Sequence, residues 1–457
     1  MFDFYQWIHE PINLDIVKSI GSLGTFFLGI AALINFLILN KNTKIAQDNL
    51  QLSELRLIRE NFSQAIEQLS NEKIVIRLGG IYTLEKIAID NHENYNSNVI
   101  NILISFVREQ SIHNNQTSLS TVQKFLYNQD TDLNAQKIPE DIQASLNILS
   151  RLNYSFSLNL SRINISNFNL KNCNFADAIF DRATLENINF KYALLQNTSF
   201  DKASLKKSDF YYADLENAKM CNANLEHTEC RYTNFSKAIL YDVVFNNSDL
   251  YRSCLTEAKF ARANLKNSNI NEVEATKTYF TQADLSKALC TQSNFKEAVF
   301  YKTILIETNL NDCILTRASF KYAKLTKALL IEIEAEKVNF QYIDAEGALF
   351  DLAKLKASDF YSANLKKASF RSADVQFIDF SYANLEEANF LEARNIETAN
   401  FRRANLKNVI GLSSFINKKK FYSKTVLILT INQQLLFNDK ARLLLIFTYL
   451  IFGDRYV

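Results

Sequence analysis

The chain has 457 residues, room for two or more domains, and its 51 Lys and Arg are nearly balanced by 49 Asp and Glu. That balance excludes a strong global field drawing the chain to nucleic acid or to an anionic surface. Six Cys (173, 221, 230, 254, 290 and 313) show no CxxC spacing, and the four His are scattered. No HExxH, GxSxG or glycine-rich phosphate loop is present, so the sequence predicts no enzyme, no cofactor and no metal site. Four of the cysteines fall on inward positions of the repeat described below, where Cys acts as a small apolar residue; reduced, structural thiols are expected.

Residues 1–17 are acidic (Asp3, Glu10, Asp15) and read as a short extracytoplasmic end. From Ser19 to Asn40, SIGSLGTFFLGIAALINFLILN carries no charge over 22 residues. A helix of about that length crosses a bilayer core of roughly 30 Å, and residues 18–40 are assigned as a transmembrane helix. A cleaved signal peptide would have a basic start and a shorter apolar run. Lys41, Lys44, Arg56 and Arg59 follow the span and only Lys18 precedes it. The positive-inside rule then puts the rest of the protein in the cytoplasm, with the span in a bacterial inner membrane. The alternative reading of the span is a buried core helix. Asn35 is compatible with a homodimer through a hydrogen bond between two spans, or with a bond to its own helix or to interfacial water.

Residues 41–135 read as a helical region. Ile45, Leu52, Leu55, Phe62, Ile66 and Leu69 fit a stripe with faults at Asp48 and Arg59. This is either a juxtamembrane coiled coil or, preferably, an amphipathic helix packed on its own domain. Ile74, Leu78, Ile81, Leu84 and Ala88 mark the next helix and NVINILISFVRE another, a HEAT-like pair. Gly79 and Gly80 lie inside the first of these and signal close helix packing. Residues 110–137 are rich in Asn, Gln and Ser and read as a linker. IPEDIQASLNIL then opens a helical N-terminal cap over residues 136–157.

Between 158 and 410 the pattern changes. From Leu160 to Phe390 a large inward position falls on every fifth residue, with a small residue two places before it. Five is neither a helical period nor a flat-strand period. It fits a chain that turns a corner every five residues, always the same way. Sorting the large positions by twenty separates a Phe column (260, 280, 300, 320, 340, 360, 380) from a Leu column five residues later. Such columns require four sides to a coil. Roughly twelve coils follow, a rod on the order of 55 Å at the usual strand spacing. Where the large position shrinks, the small one grows: Val273 with Ala275, Ile333 with Ala335, Ile343 with Ala345. Such compensation belongs to a packed interior, with no pore.

The A(D/N)LXX motif recurs as AlaAspLeu at 213–215 and 283–285, and as AlaAsnLeu at 223–225, 263–265, 363–365, 383–385 and 404–406. On these residues the chain resembles the pentapeptide-repeat family. The resemblance implies a mainly β fold, a right-handed quadrilateral β-helix. The helical segment before the repeat resembles that of membrane-anchored bacterial members. Regular spacing slips between Phe390 and Phe401, and after Leu406 the pattern ends. Residues 424–457 are strongly apolar, and the tail 411–457 is expected to cap the last coil, with dimerisation or membrane contact as alternatives.

Exterior residues twenty apart should stack. Tyr192, Tyr212 and Tyr232 form one such set; Tyr322, Tyr342 and Tyr382 form another, interrupted by Ser362. They are the candidate protein-binding surface, the alternative being a purely structural stack. The functional expectation is a membrane-tethered, non-enzymatic scaffold whose partner is another protein. The alternative is a DNA mimic that binds a topoisomerase, a role the resemblance suggests; it would need an acidic rod, whereas here the charges of the rod nearly balance.

Overall fold

The computed structural model describes residues 14–125, 138–152, 154 and 156–412. The start of the expected extracytoplasmic end and nearly all of the expected terminal cap lie outside these residues. The chain divides into two compact units, residues 1–92 and 93–457.

In the first unit, α1 (Leu14–Leu69) is one unbroken 56-residue helix, about 84 Å long at 1.5 Å per residue. The uncharged span and the stripe after it are therefore one element. From Leu23 the helix is long and apolar enough to cross a bilayer. Ile45, Leu52 and Leu55 are exposed, so this part of the stripe is not packed on its own domain; only the last turns, at Ala65 and Leu69, are buried. α2 (Ile74–Asp90) packs against them. A Cβ on Gly80 would lie 2.6 Å from the Ala65 carbonyl oxygen, so glycine is needed there for the two backbones to approach.

In the second unit, α3 (His92–Phe125) runs through much of the stretch expected as a linker. Its polar composition hid a helical backbone. Val99, Ile100, Leu103 and Val107 are buried at helical spacing. α4 (Glu140–Leu149) buries Ile142, Leu146 and Leu149. Both helices reach the first coil of the repeat. The Gln143 amide donates to the Asn169 carbonyl at 2.7 Å and accepts from the Asn169 N–H at 3.0 Å. One side chain thus supplies both bonds that a preceding coil would give. Arg108 Nη2 donates to the Asn159 carbonyl at 2.9 Å. An open β edge would otherwise begin here.

From Asn159 to Arg394 the chain makes parallel single-residue bridges, one every five residues, each to the residue twenty further on. A coil is therefore twenty residues in four sides. The motif is explained by a count of its N–H groups, as in Ala213–Asn217. Ala213 N–H closes a turn on the Phe210 carbonyl (2.7 Å), and Asp214 N–H bonds Ala193 O of the preceding coil (3.0 Å). Leu215 and Asn217 donate to Asn234 O and Ser236 O of the following coil at 2.7 and 2.9 Å. Glu216 N–H has no backbone partner and is taken by the Asp214 carboxylate at 3.1 Å. The Asp/Asn of the motif is there to accept that donor, as in an Asx turn.

The second residue after each large one has φ near +60°, from Arg162 to Glu392. Only Gly347 in that series is glycine. The low glycine content is thus reconciled with many corners. Each left-handed residue costs about 1–2 kcal/mol, offset by the N–H bond it makes to the next coil.

The interior is filled by stacked rings. Phe300 lies between Phe280 and Phe320, at centroid distances of 5.1 and 4.5 Å. The compensating pairs Val273/Ala275, Ile333/Ala335 and Ile343/Ala345 are all buried. The bulk has a backbone consequence. Turns that end in Ala keep their closing bond, whereas at 185–188, 270–273 and 335–338, which end in Ile188, Val273 and Val338, a serine hydroxyl from the next coil is inserted instead. Ser208 Oγ accepts from Ile188 N–H (3.2 Å) and donates to Leu185 O (2.7 Å). Ser293 and Ser358 do the same for the other two.

At the expected slip, Asn395 adopts φ 56° and Ile396–Thr398 form a short 3-10 turn. The extra residue is absorbed at that corner, and bridges then join residues 21 apart, such as Asp379 with Asn400. The ring column resumes with Phe380 and Phe401 at 5.3 Å. Pairing extends past Leu406 to Ile410.

Candidate protein-binding surface

All six singled-out tyrosines occupy left-handed corner positions, with φ between 55° and 61°. Bulky residues are rare in that conformation. Tyr192, Tyr212 and Tyr232 come together in one column. Tyr192 and Tyr212 are 5.7 Å apart with planes 3° apart, and Tyr212 and Tyr232 are 4.6 Å and 1° apart. Both faces of Tyr212 are covered, yet the residue is 48 % exposed. What it offers outward is ring edge and hydroxyl.

Tyr322 and Tyr342 stack at 5.0 Å. The gap at Ser362 is bridged by Tyr361, 5.6 Å from Tyr342 and 5.3 Å from Tyr382. The two sets do not meet. Their numbers differ by ten within the twenty-residue coil, so they lie on opposite corners, and at different heights.

Sequence reasoning missed the residues just before these corners. Tyr211 packs edge-on against Tyr212 at 4.7 Å, and Tyr251 lies 6.0 Å from Tyr232. Tyr301 flanks Tyr322 at 5.8 Å. Their signal in the sequence is pairs of Tyr spaced by 19 or 21, which a period of twenty does not bring together. Cations complete the clusters: Lys171 sits over Tyr192, Lys321 over Tyr322 and Tyr342, and Arg403 over Tyr382. Partial burial, then the neighbouring tyrosines, push the Tyr211 hydroxyl above its ordinary pKa; Tyr342 shifts the same way. These phenols are neutral hydrogen-bond donors at neutral pH.

Charges beside the corners are paired across coils. Lys191 meets Asp209 at 2.9 Å, Arg252 meets Glu272 at 2.6 Å and Arg262 meets Asp242 at 2.6 Å. Hydrogen bonds from Arg262 hold the Asp242 carboxyl below its usual range. All six cysteines are free thiols. Burial pushes the Cys313 thiol up to about 12 and raises Cys290 strongly, so neither is poised as a nucleophile. Among the described residues, no group of three His, Cys, Asp or Glu is placed to hold a metal ion.

The architecture is a four-sided, right-handed parallel β-helix with helices at its first coil. The family described as pentapeptide repeats matches in eight copies across residues 159–191, 188–226, 222–256, 258–289, 293–330, 336–371 and 368–408. The chain belongs to the pentapeptide-repeat family. Among solved structures it is similar to HetL, a protein involved in heterocyst differentiation regulation from the cyanobacterium Nostoc sp. strain PCC 7120. Identity is 24 %, over 49 % of this chain and 87 % of HetL, with a TM-score of 0.25. It is also similar to QnrB1, a plasmid-mediated fluoroquinolone resistance protein. There identity is 16 %, over 52 % of this chain and all (100 %) of QnrB1, with a TM-score of 0.19. A pentapeptide-repeat protein of the Arabidopsis thaliana thylakoid lumen aligns at 25 % identity over 22 % of this chain and 62 % of its own, with a TM-score of 0.11. The comparison with curated proteins gives no match.

Proposed function

We propose that the chain is a membrane-tethered, non-enzymatic scaffold. α1 anchors it by a single pass in a bacterial inner membrane, and a rod of roughly twelve coils stands in the cytoplasm and presents the two tyrosine corners to a protein partner. The observation that carries this reading is the placement of aromatic rings at left-handed corners. A backbone at φ near +60° favours Asn or Gly, and this chain uses Asn at many equivalent corners, such as Asn187, Asn197 and Asn217. Tyrosine at Tyr192, Tyr212 and Tyr232 forgoes that preference and gains a large surface suited to partner contact. The anchor rests on the uncharged run within α1, and the orientation on Lys41, Lys44, Arg56 and Arg59 after it. The rod's paired charges fit a protein partner better than they fit mimicry of DNA, which requires a continuous run of negative charge.

The test is affinity capture from solubilised bacterial membranes with the full chain as bait. A protein retained by the wild type should be lost with Tyr192→Asn/Tyr212→Asn, or with Tyr322→Asn/Tyr342→Asn. Retention of every captured protein by both variants would refute the tyrosine corners as the binding surface.

A further inference from the structure

The two tyrosine corners hold the same kind of ring but differ in charge. At the first, cations meet carboxylates: Lys191 and Asp209 are 2.9 Å apart, Arg231 and Asp249 2.7 Å, and Arg252 and Glu272 2.6 Å. Two geometries do this. A residue just before the left-handed one reaches the bridge residue 18 further on, and a left-handed residue reaches its equivalent 20 away. Earlier on the second corner, the latter geometry pairs Arg262 with Asp242.

Where the second tyrosine set lies, both geometries find no acid. Lys321 has Asn339 in the place that Asp209 takes for Lys191, and Lys302 stands between Gln282 and Tyr322 in the left-handed column. Arg403 follows Tyr382 in that column. Each cation lies over a ring instead: Lys302 over Tyr301 at 5.3 Å, Lys321 over Tyr322 and Tyr342 at 5.5 and 5.6 Å, and Arg403 over Tyr382 at 5.5 Å. Among the described residues none of the three has an ion-pair partner, and Lys302 and Arg403 are exposed. From Tyr301 to Arg403, neither of the two residues that form this corner is acidic in any coil. The carboxylates on its flanks are held by their own neighbours. Asp359 accepts from Gln341 Nε2 at 2.6 Å and from Tyr361 N–H at 2.9 Å, and Asp379 accepts from Ser381 N–H and Asn400 Nδ2, both at 2.9 Å. Asp344 has Lys324 as its bridge partner and accepts from Asn364 Nδ2 at 2.8 Å.

This corner therefore offers unmatched positive charge and phenol hydroxyls in one line along the rod. Five coils, about 24 Å, separate Lys302 from Arg403, the length of about seven residues of extended chain. We propose that the second tyrosine corner takes an acidic, extended polypeptide segment, its carboxylates meeting Lys302, Lys321 and Arg403 and its other polar groups meeting the hydroxyls of Tyr322 and Tyr342. This rests on the reading of the tyrosine corners as a binding surface and names the chemistry of the partner at one of them. The first corner, where Lys191, Arg231 and Arg252 are already matched, does not share it. Single-stranded nucleic acid is disfavoured because it binds by stacking bases on ring faces. Here the faces are given to cations and to neighbouring rings, and Tyr322 and Tyr342, 5.0 Å apart, leave no room for a base between them.

Fluorescence anisotropy with the full chain in nonionic detergent micelles tests the assignment, the probe being a labelled peptide of alternating Glu and Ser. The wild type should bind it, and Lys302→Gln/Lys321→Gln should weaken binding by about tenfold or more. Gln282 and Gln341 already occupy the equivalent corner positions, so the coils accept the change. Lys302→Arg/Lys321→Arg should keep the affinity, and Arg231→Gln/Arg252→Gln at the first corner should leave it unchanged. Absence of binding, or an equal loss with the first-corner variant, would overturn the proposal. So would tighter binding of a labelled oligothymidylate or of vesicles containing phosphatidylglycerol, which would give the corner to nucleic acid or to a lipid surface. If the peptide does not bind while Tyr322→Asn/Tyr342→Asn still abolishes capture from membranes, the acidic partner alone is overturned. Capture that survives the tyrosine substitutions overturns the surface, and this assignment with it.

Discussion

Two kinds of position in the same coil answer to different pressures. Inward residues such as Phe300 and Leu325 are fully buried and follow size and apolarity with few departures. The left-handed corners, two residues after each large inward one, have a backbone that prefers Asn or Gly. There the chain uses Asn187 and Asn217, but also Tyr212, Leu352 and Phe377. Inside, the departures are compensated within the core: Ala335 by Ile333, Ala275 by Val273. At the corners the N–H bond is the same whichever side chain is present, so it does not repay the choice of Tyr, Leu or Phe over Asn, and Phe377 is 60 % exposed. Interior choices therefore report how the rod holds together, and under the proposed function corner choices report what its surface meets.

The sharpest test of the interior half of this comparison is Phe300→Ala. It removes one ring from inside the column that runs from Phe260 to Phe401 and should cost roughly 3–5 kcal/mol, read by denaturant unfolding of the full chain in detergent. A solenoid couples nearest neighbours, so faster hydrogen exchange should concentrate in the coils of Phe280 and Phe320. A loss below about 1 kcal/mol would mean that the coils collapse freely, contrary to a close-packed core.

A smaller effect separates two kinds of turn. Ser208→Ala strips the bridging hydroxyl from a turn that cannot close by itself and leaves Ile188 N–H without that partner. An unmet buried group of this kind costs roughly 1–3 kcal/mol. Thr303→Ala is the matched control. Thr303 Oγ1 donates to Phe280 O at 2.6 Å, but that carbonyl keeps its own turn bond from Ala283 N–H at 2.9 Å. Its loss should cost clearly less. Equal costs in thermal melts of the two variants would show that the inserted serine does not substitute for the turn bond.

Much of this was legible in the sequence, for physical reasons. The inward period, the four sides and the Phe column all follow from volume, which residue identity reports directly. Ile333 beside Ala335 could be read as shared space. The serine bridges could not, because they depend on whether a turn closes, and neither Ile188 nor Ser208 signals that alone. The helical backbone of residues 110–125 was hidden by a polar composition that loops and exposed helices share. The candidate surface was half legible. A spacing of twenty found Tyr212 between Tyr192 and Tyr232, but Tyr211 and Tyr361 enter from the adjacent column. That the two sets occupy opposite corners follows from their numbers only once a coil is fixed at twenty residues.

The smallest expected change in stability carries the most weight for the corner half of the comparison. Tyr212→Asn should leave stability within about 1 kcal/mol of wild type. Two terms of similar size oppose each other. The stack with Tyr192 and Tyr232 is worth about 0.5–1.5 kcal/mol beyond area burial. Against it, Asn tolerates the left-handed backbone far better than a bulky ring, recovering part of a strain of about 1–2 kcal/mol. If Tyr212 were selected to hold the coils together, the first term would have to win clearly, and the variant would melt well below wild type. If it is kept for a partner, the melt should barely move while capture of that partner is lost. Thermal melts of Tyr212→Asn and Tyr212→Phe in detergent distinguish the two. Tyr212→Phe keeps the ring and the strain and loses only the hydroxyl, so it should match wild type in stability under either reading. A drop of several kcal/mol for Tyr212→Asn with none for Tyr212→Phe would assign the stack to stability and leave the corners without a claim on a partner.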